Sequence, residues 1–174
     1  MMDGSRCPMC GRAWQDGNTY SLEIPENLQT PESEEWLNRI YKVYDLEKLS
    51  KAQYENDSRE FNLHMPYMRV IPDENNHISW IESLFSAYSV SYKPDVPKIR
   101  VSNSAKEAYQ IARELEQDLI PRYEWLIQNA PDGKTKQVIE TILFQTDMHY
   151  MMFTHALRMG GMMGPGMGHG MMGN

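Results

Sequence analysis

Four stretches of the chain repeat apolar residues at helical spacing, and the segments between them carry helix breakers. From Thr30-Pro31-Glu32 to about Phe61, the residues Trp36, Leu37, Ile40, Val43, Tyr44, Leu46, Leu49 and Tyr54 fall near one face of a helix. Thr30 reads as the cap, Pro31 suits the first helical position, and Glu32, Glu34 and Glu35 favour the positive end of the dipole. Such a helix of about 30 residues would be ~45 Å long. A turn at Asn62–Pro66 leads to a second helix, about Tyr67 to Tyr88, in which Pro72 is expected to kink or tighten the first turns. Ser89 to Ser102, with Pro94 and Pro97, has no helical pattern and reads as a crossover. Ser102, Asn103 or Ser104 can cap a third helix running to about Asn129 through Pro121. Ala130-Pro131-Asp132-Gly133 is a turn, and a fourth helix covers about Lys134 to Arg158. No segment alternates like a strand. The pattern predicts an all-α fold: a four-helix bundle with one crossover connection over residues 30–158.

Two flanking segments lack this periodicity. Residues 1–29 hold Cys7-Pro8-Met9-Cys10-Gly11 among turn-forming residues and read as a flexible arm with a knuckle. Residues 159–174 contain seven glycines and read as a disordered Met/Gly tail. Composition narrows the function classes. The 174 residues include 24 acidic and 17 basic side chains, so the chain carries a net charge of -7. That sign argues against nucleic acid and anionic membrane surfaces as partners. No apolar run reaches the ~20 residues of a membrane span, and the N-terminus has no apolar leader, so a cytoplasmic location is expected. Two cysteines cannot build a disulfide framework.

The chemistry lies in acids and histidines on the helices. On the second helix Glu74 and His77 are three residues apart, within about 60° of each other around the axis, so they can share one metal ion. The first helix carries Glu47 seven residues before Tyr54, and the third carries Glu116 seven residues before Tyr123. Seven residues fall about 20° short of two turns, which puts each tyrosine on the face of its glutamate. From Glu47 to His77 is 30 residues, and from Glu116 to His149 is 33. The two halves therefore repeat: a lone glutamate with a trailing tyrosine, a hairpin, then a histidine. The fourth helix breaks the repeat, because Thr146 stands three residues before His149 where a glutamate is expected. Asp147 is adjacent but about 100° away around the helix.

These residues resemble a ferritin-like family of bacterial proteins related to rubrerythrin. The resemblance runs from about Glu34 to Arg158. It is carried by Glu47-Lys48, Ala52-x-Tyr54, Pro66-Tyr67, Glu74-x-x-His77-Ile78, Leu84-Phe85-x-x-Tyr88, Glu114-x-Glu116, Tyr123 and His149. It implies a ferritin-like bundle with iron or another divalent metal, one or two ions, held by Glu47, Glu74, His77, Glu116 and His149. It also implies oxidation of Fe(II) by O₂ or reduction of peroxide. Tyr54 and Tyr123 themselves read as core residues with a bonded hydroxyl or as redox side chains. Thr146 departs from the family glutamate and bears on the second metal position.

Two further features suggest metal handling. Cys7 and Cys10 form half of a zinc knuckle like that of rubredoxin. Two chains share its metal, other residues complete it, or the pair is redox-active or vestigial. In the tail, Met162, Met163, Met167, Met171 and Met172 offer thioethers suited to Cu(I), and His169 an imidazole. The rival expectation is a non-enzymatic copper or zinc protein that binds through knuckle and tail on a bundle scaffold. Metal ions and further copies of the chain, a dimer among them, are the expected partners.

Overall fold

A computed structural model describes residues 22–160, which form four α-helices and, among the described residues, no strand. They are α1 (Glu34–Glu60), α2 (Tyr67–Ala87), α3 (Ala105–Gln128) and α4 (Gly133–Gly160). Cys7, Cys10, Met162, Met163, Met167, His169, Met171 and Met172 lie outside the described residues.

The helix ends follow from local chemistry, with shifts from the sequence pattern. α1 starts at Glu34, not at Pro31, because the Ser33 hydroxyl accepts from the Trp36 N–H at 3.2 Å. Thr30 instead donates its hydroxyl to the Tyr88 carbonyl at 2.8 Å, which ties the lead-in segment to the end of α2. Ser104 caps α3 by accepting from the Glu107 N–H, and the Glu107 carboxylate reaches back to the Asn103 N–H. Asp132 does the same work for α4, accepting from the Thr135 N–H at 2.8 Å. After α1 the chain turns through Asn62 at φ 51, and the Leu63 N–H bonds back to the Ser58 carbonyl. Helical structure continues through Pro72 and Pro121. α4 also extends past Arg158, so Met159 and Gly160 are helical rather than part of a tail. The end of the N-terminal arm is likewise attached. Leu22, Ile24 and Leu28 pack on the core, and the Leu28 N–H bonds to the Ala87 carbonyl at 2.9 Å.

The helices form a four-helix bundle. α1 packs on α2 and α3, α4 packs most closely on α3, and α2 and α4 make the sparsest neighbouring pair. Trp36 of α1 bonds to Leu126 of α3, Glu47 to Tyr123 and Tyr54 to Glu116, so these two helices run antiparallel. The core is in two parts. A larger one gathers Trp36, Ile40, Ile81, Leu84, Leu119, Ile139 and Ile142; a smaller one gathers Tyr54, Tyr67, Val70, Ala112 and Phe153. Between them α1–α4 bury a polar layer. No helix among the described residues is long and apolar enough to cross a membrane.

The segment between α2 and α3 lies along α1. Tyr92 donates to Asp45, the Arg100 N–H donates to Gln53 Oε1 at 2.7 Å, and the Ser102 hydroxyl donates to Asp57 Oδ1 at 3.0 Å. Asp57 is fully buried and also accepts from Gln53 Nε2 at 2.9 Å. Asp57→Ala removes the acceptor for buried Gln53 and half-buried Ser102 at once, so it should cost about 1–3 kcal/mol. Ser33→Ala removes only a helix cap and should cost about 1 kcal/mol. Chemical denaturation of both variants checks the order; equal losses would mean that Asp57 does not anchor this segment.

Candidate metal centre

Each helix sends side chains into the polar layer. α1 supplies Glu47, α2 supplies Glu74 and His77, α3 supplies Glu116, and α4 supplies Thr146 and His149; all are buried. The five sequence-selected side chains fall into two groups: Glu47, Glu74 and His77, and Glu74, Glu116 and His149. In each group the donor atoms lie within 4.8 Å of one another. Glu74 belongs to both. His77 Nδ1 is 3.2 Å from Glu47 Oε2 and 3.9 Å from Glu74 Oε1. His149 Nδ1 is 3.1 Å from Glu74 Oε1 and 3.5 Å from Glu116 Oε1. The two imidazoles are 5.6 Å apart and nearly parallel, at 27°.

Each histidine presents Nδ1 to the acids and uses Nε2 elsewhere. His77 Nε2 donates to Gln145 Oε1 at 2.9 Å, and His149 Nε2 donates to Asp73 Oδ2 at 3.2 Å. Gln145 precedes Thr146 as Asp73 precedes Glu74. Each residue therefore orients the histidine of the opposite helix, across the sparsely packed α2–α4 boundary. Such a bond fixes the ring and turns Nδ1 toward the acids, where it can bind a metal. The sequence analysis missed Asp73 and Gln145. Their equivalent places in the two halves were the available signal, but a pairing between opposite helices leaves no spacing to read.

The tyrosines exchange partners in the same way. Tyr123 donates to Glu47 Oε1, and Tyr54 donates to Glu116 Oε1 at 2.7 Å. The seven-residue spacing put each tyrosine beside its own glutamate's face. Because α1 and α3 run antiparallel, the same spacing sets each tyrosine against the other helix's glutamate. Thr146 points into the layer, but its hydroxyl donates to the Ile142 carbonyl at 3.1 Å, a bond within its own helix.

Several buried atoms here remain unpaired. Both Glu74 carboxylate oxygens, Glu116 Oε2 and His149 Nδ1 have no hydrogen-bond partner, since the short His149–Glu74 approach is not aligned for one. Unpaired buried polar atoms are rare and costly. Burial raises the Glu74 carboxyl well above the usual carboxylate range, and the charges of Glu47 and Glu116 add to that rise. Burial also opposes ionisation of Glu47, but the charge and hydrogen bond of His77 outweigh it and hold its carboxyl at about 2. His149 is disfavoured as a cation by burial, yet Glu116 and the Asp73 bond raise it well above the ordinary histidine value. Both upward shifts favour protonation of Glu74 and His149, the compensation that a cation among the acids would otherwise supply.

Divalent metals bind carboxylate oxygen and imidazole nitrogen at about 2.0–2.2 Å, which sets neighbouring donor atoms about 3 Å apart. The 3.1–3.9 Å separations and the unpaired atoms fit such an ion. No family model matches the chain, and no curated protein matches it. Fold and site by themselves define its class: a four-helix bundle with a buried carboxylate and histidine cluster that can hold a metal ion.

This arrangement opposes stability to binding. In chelator, Glu74→Met should raise the midpoint of thermal unfolding, because removing two unpaired buried oxygens relieves a cost of about 1–3 kcal/mol. The same variant should lose the further rise that added metal gives the parent chain. Differential scanning calorimetry with and without metal reads both signs; destabilisation in chelator would show that Glu74 is satisfied without a cation.

Proposed function

We propose that this protein is a ferritin-like metalloprotein that holds two divalent ions, iron foremost, side by side in its polar layer. Glu47, Glu74 and His77 would hold one and Glu74, Glu116 and His149 the other, since Glu74 belongs to both donor groups. The observation that carries this reading is the convergence of four unpaired, buried donor atoms from three helices on one place. The connection running along α1 from Asp45 to Asp57 supports a ferritin-like crossover. A mixed oxygen and nitrogen donor set suits iron, manganese or zinc better than the thioether-loving Cu(I).

Bound iron would supply one-electron chemistry toward O₂ or peroxide, the proposed activity. The chain's own side chains do the rest. Asp73 and Gln145 fix the imidazole planes, while Tyr54 and Tyr123 restrain the Glu116 and Glu47 carboxylates. The apolar clusters on either side keep water out and strengthen the electrostatic hold on a cation. Both donor groups have two carboxylates and one imidazole, but Thr146 stands where the ferritin-like pattern has a further glutamate beside His149, so the ion there is the weaker bound.

The test is metal stoichiometry. Untagged protein, stripped with chelator and kept anaerobic, is titrated with Fe(II) and with Zn(II) by calorimetry and native mass spectrometry. Two ions per chain are expected, retained by a chain ending at Gly160, because both donor groups lie in the bundle. Each ion, at a hundredfold excess over its Kd, should stabilise the fold by about 2.7 kcal/mol. Thr146→Glu should tighten the weaker ion by restoring a carboxylate three residues before His149. Binding that vanishes on truncation would place the metal in the tail and overturn the reading.

A further inference from the structure

We propose that Tyr54, Tyr67 and Tyr109 form a one-electron path between the metal centre and the protein surface beside Met65. The inference rests on the metal-binding reading above and adds a direction to it. Tyr54 donates its hydroxyl to Glu116 Oε1 at 2.7 Å and is fully buried. Its ring lies 5.9 Å from that of Tyr67, edge to face. Tyr67 in turn stacks on Tyr109, with centroids 5.6 Å apart and planes at 20°. Tyr109 is half-buried, and its hydroxyl donates to the Met65 carbonyl, on a residue that is 62% exposed. Three rings, each paired with the next, thus join a glutamate of the metal cluster to solvent.

The other half of the site lacks such a connection. Tyr123 holds Glu47 as Tyr54 holds Glu116, yet among the described residues no aromatic ring is paired with it. It belongs to the larger core, among side chains such as Leu119, Leu126 and Ile142. The sequence repeat makes the two tyrosines equivalent; the packing gives only one of them an aromatic route outward.

Protons and electrons balance along the path. Tyr54 gives an electron to the centre after oxidation by O₂ or peroxide, and passes its phenolic proton to Glu116 Oε1. Tyr109 then supplies an electron through the Tyr67 ring and releases its own proton to water. The proton on Glu116 returns to Tyr54. A one-electron donor in solution and a proton from water restore Tyr109. Tyr67 has a buried hydroxyl with no partner, so it has no base to take its proton. It therefore serves as a bridge between the outer rings, and oxidation comes to rest at Tyr54 or Tyr109.

Iron-loaded full-length protein is treated with hydrogen peroxide in the presence of a nitroso spin trap, and adducts are mapped by peptide mass spectrometry. Frozen samples without trap are read by electron paramagnetic resonance. The trap should label Tyr109 in the parent chain. The label should be lost in Tyr54→Phe and kept in Tyr123→Phe, at equal iron content and equal helicity. Tyr109→Phe, a change at the half-buried end of the path, should lose the label and lengthen the lifetime of a buried tyrosyl signal. Labelling of Tyr109 that survives Tyr54→Phe, or falls equally in Tyr123→Phe, overturns the path. Iron bound with no label on Tyr109 overturns the path alone, whereas failure to bind iron overturns the metal reading and the path with it.

Discussion

Three glutamates and two histidines are buried side by side in the middle of this bundle, and carboxylates cannot all stay ionised there without a cation. That constraint organises the rest. It divides the apolar core into two clusters, raises Glu74 and His149 toward their protonated forms, and leaves oxygens of Glu74 and Glu116 without hydrogen bonds. A bundle selected only for stability would fill these positions with aliphatic side chains. The polar layer is instead held open by the surrounding helices at a cost to the metal-free fold, as sites built for ligands often are.

The layer has an approximate twofold pattern. Tyr54 of α1 restrains Glu116 of α3, and Tyr123 of α3 restrains Glu47 of α1. Asp73 of α2 orients His149 of α4, and Gln145 of α4 orients His77 of α2. Every one of these bonds joins one half of the sequence to the other. The site therefore depends on docking the two helix hairpins: α1 and α2 carry the side chains that support Glu116 and His149, and α3 and α4 carry those that support Glu47 and His77. The pattern is imperfect in chemistry as well as in packing. Thr146 stands where the other half has Glu74, Gln145 is neutral where Asp73 is a carboxylate, and among the described residues aromatic rings pair with Tyr54 but not with Tyr123. The two donor groups therefore differ in their surroundings, although each has two carboxylates and one imidazole.

Much of this was legible in the chain itself. Apolar spacing placed four helices and their turns, because a helix needs one apolar stripe and its ends need caps, both local properties. The errors were local too. Ser33 rather than Thr30 starts α1, since the chain before it is drawn away by the bond from Thr30 to Tyr88. The three-residue step from Glu74 to His77 and the paired glutamates selected the five cluster residues, because residues on one helical face have a fixed spacing. What the spacing could not carry was partnership between helices. That Tyr54 meets Glu116 and not Glu47, that Asp73 and Gln145 cross to opposite histidines, and that Tyr67 and Tyr109 continue outward from Tyr54 all depend on which helices are neighbours and which way they run. The sequence determined which faces are polar and which residues could bind metal. Only tertiary structure decided which atoms meet, because contacts between antiparallel helices link residues far apart in the chain and follow no period within it.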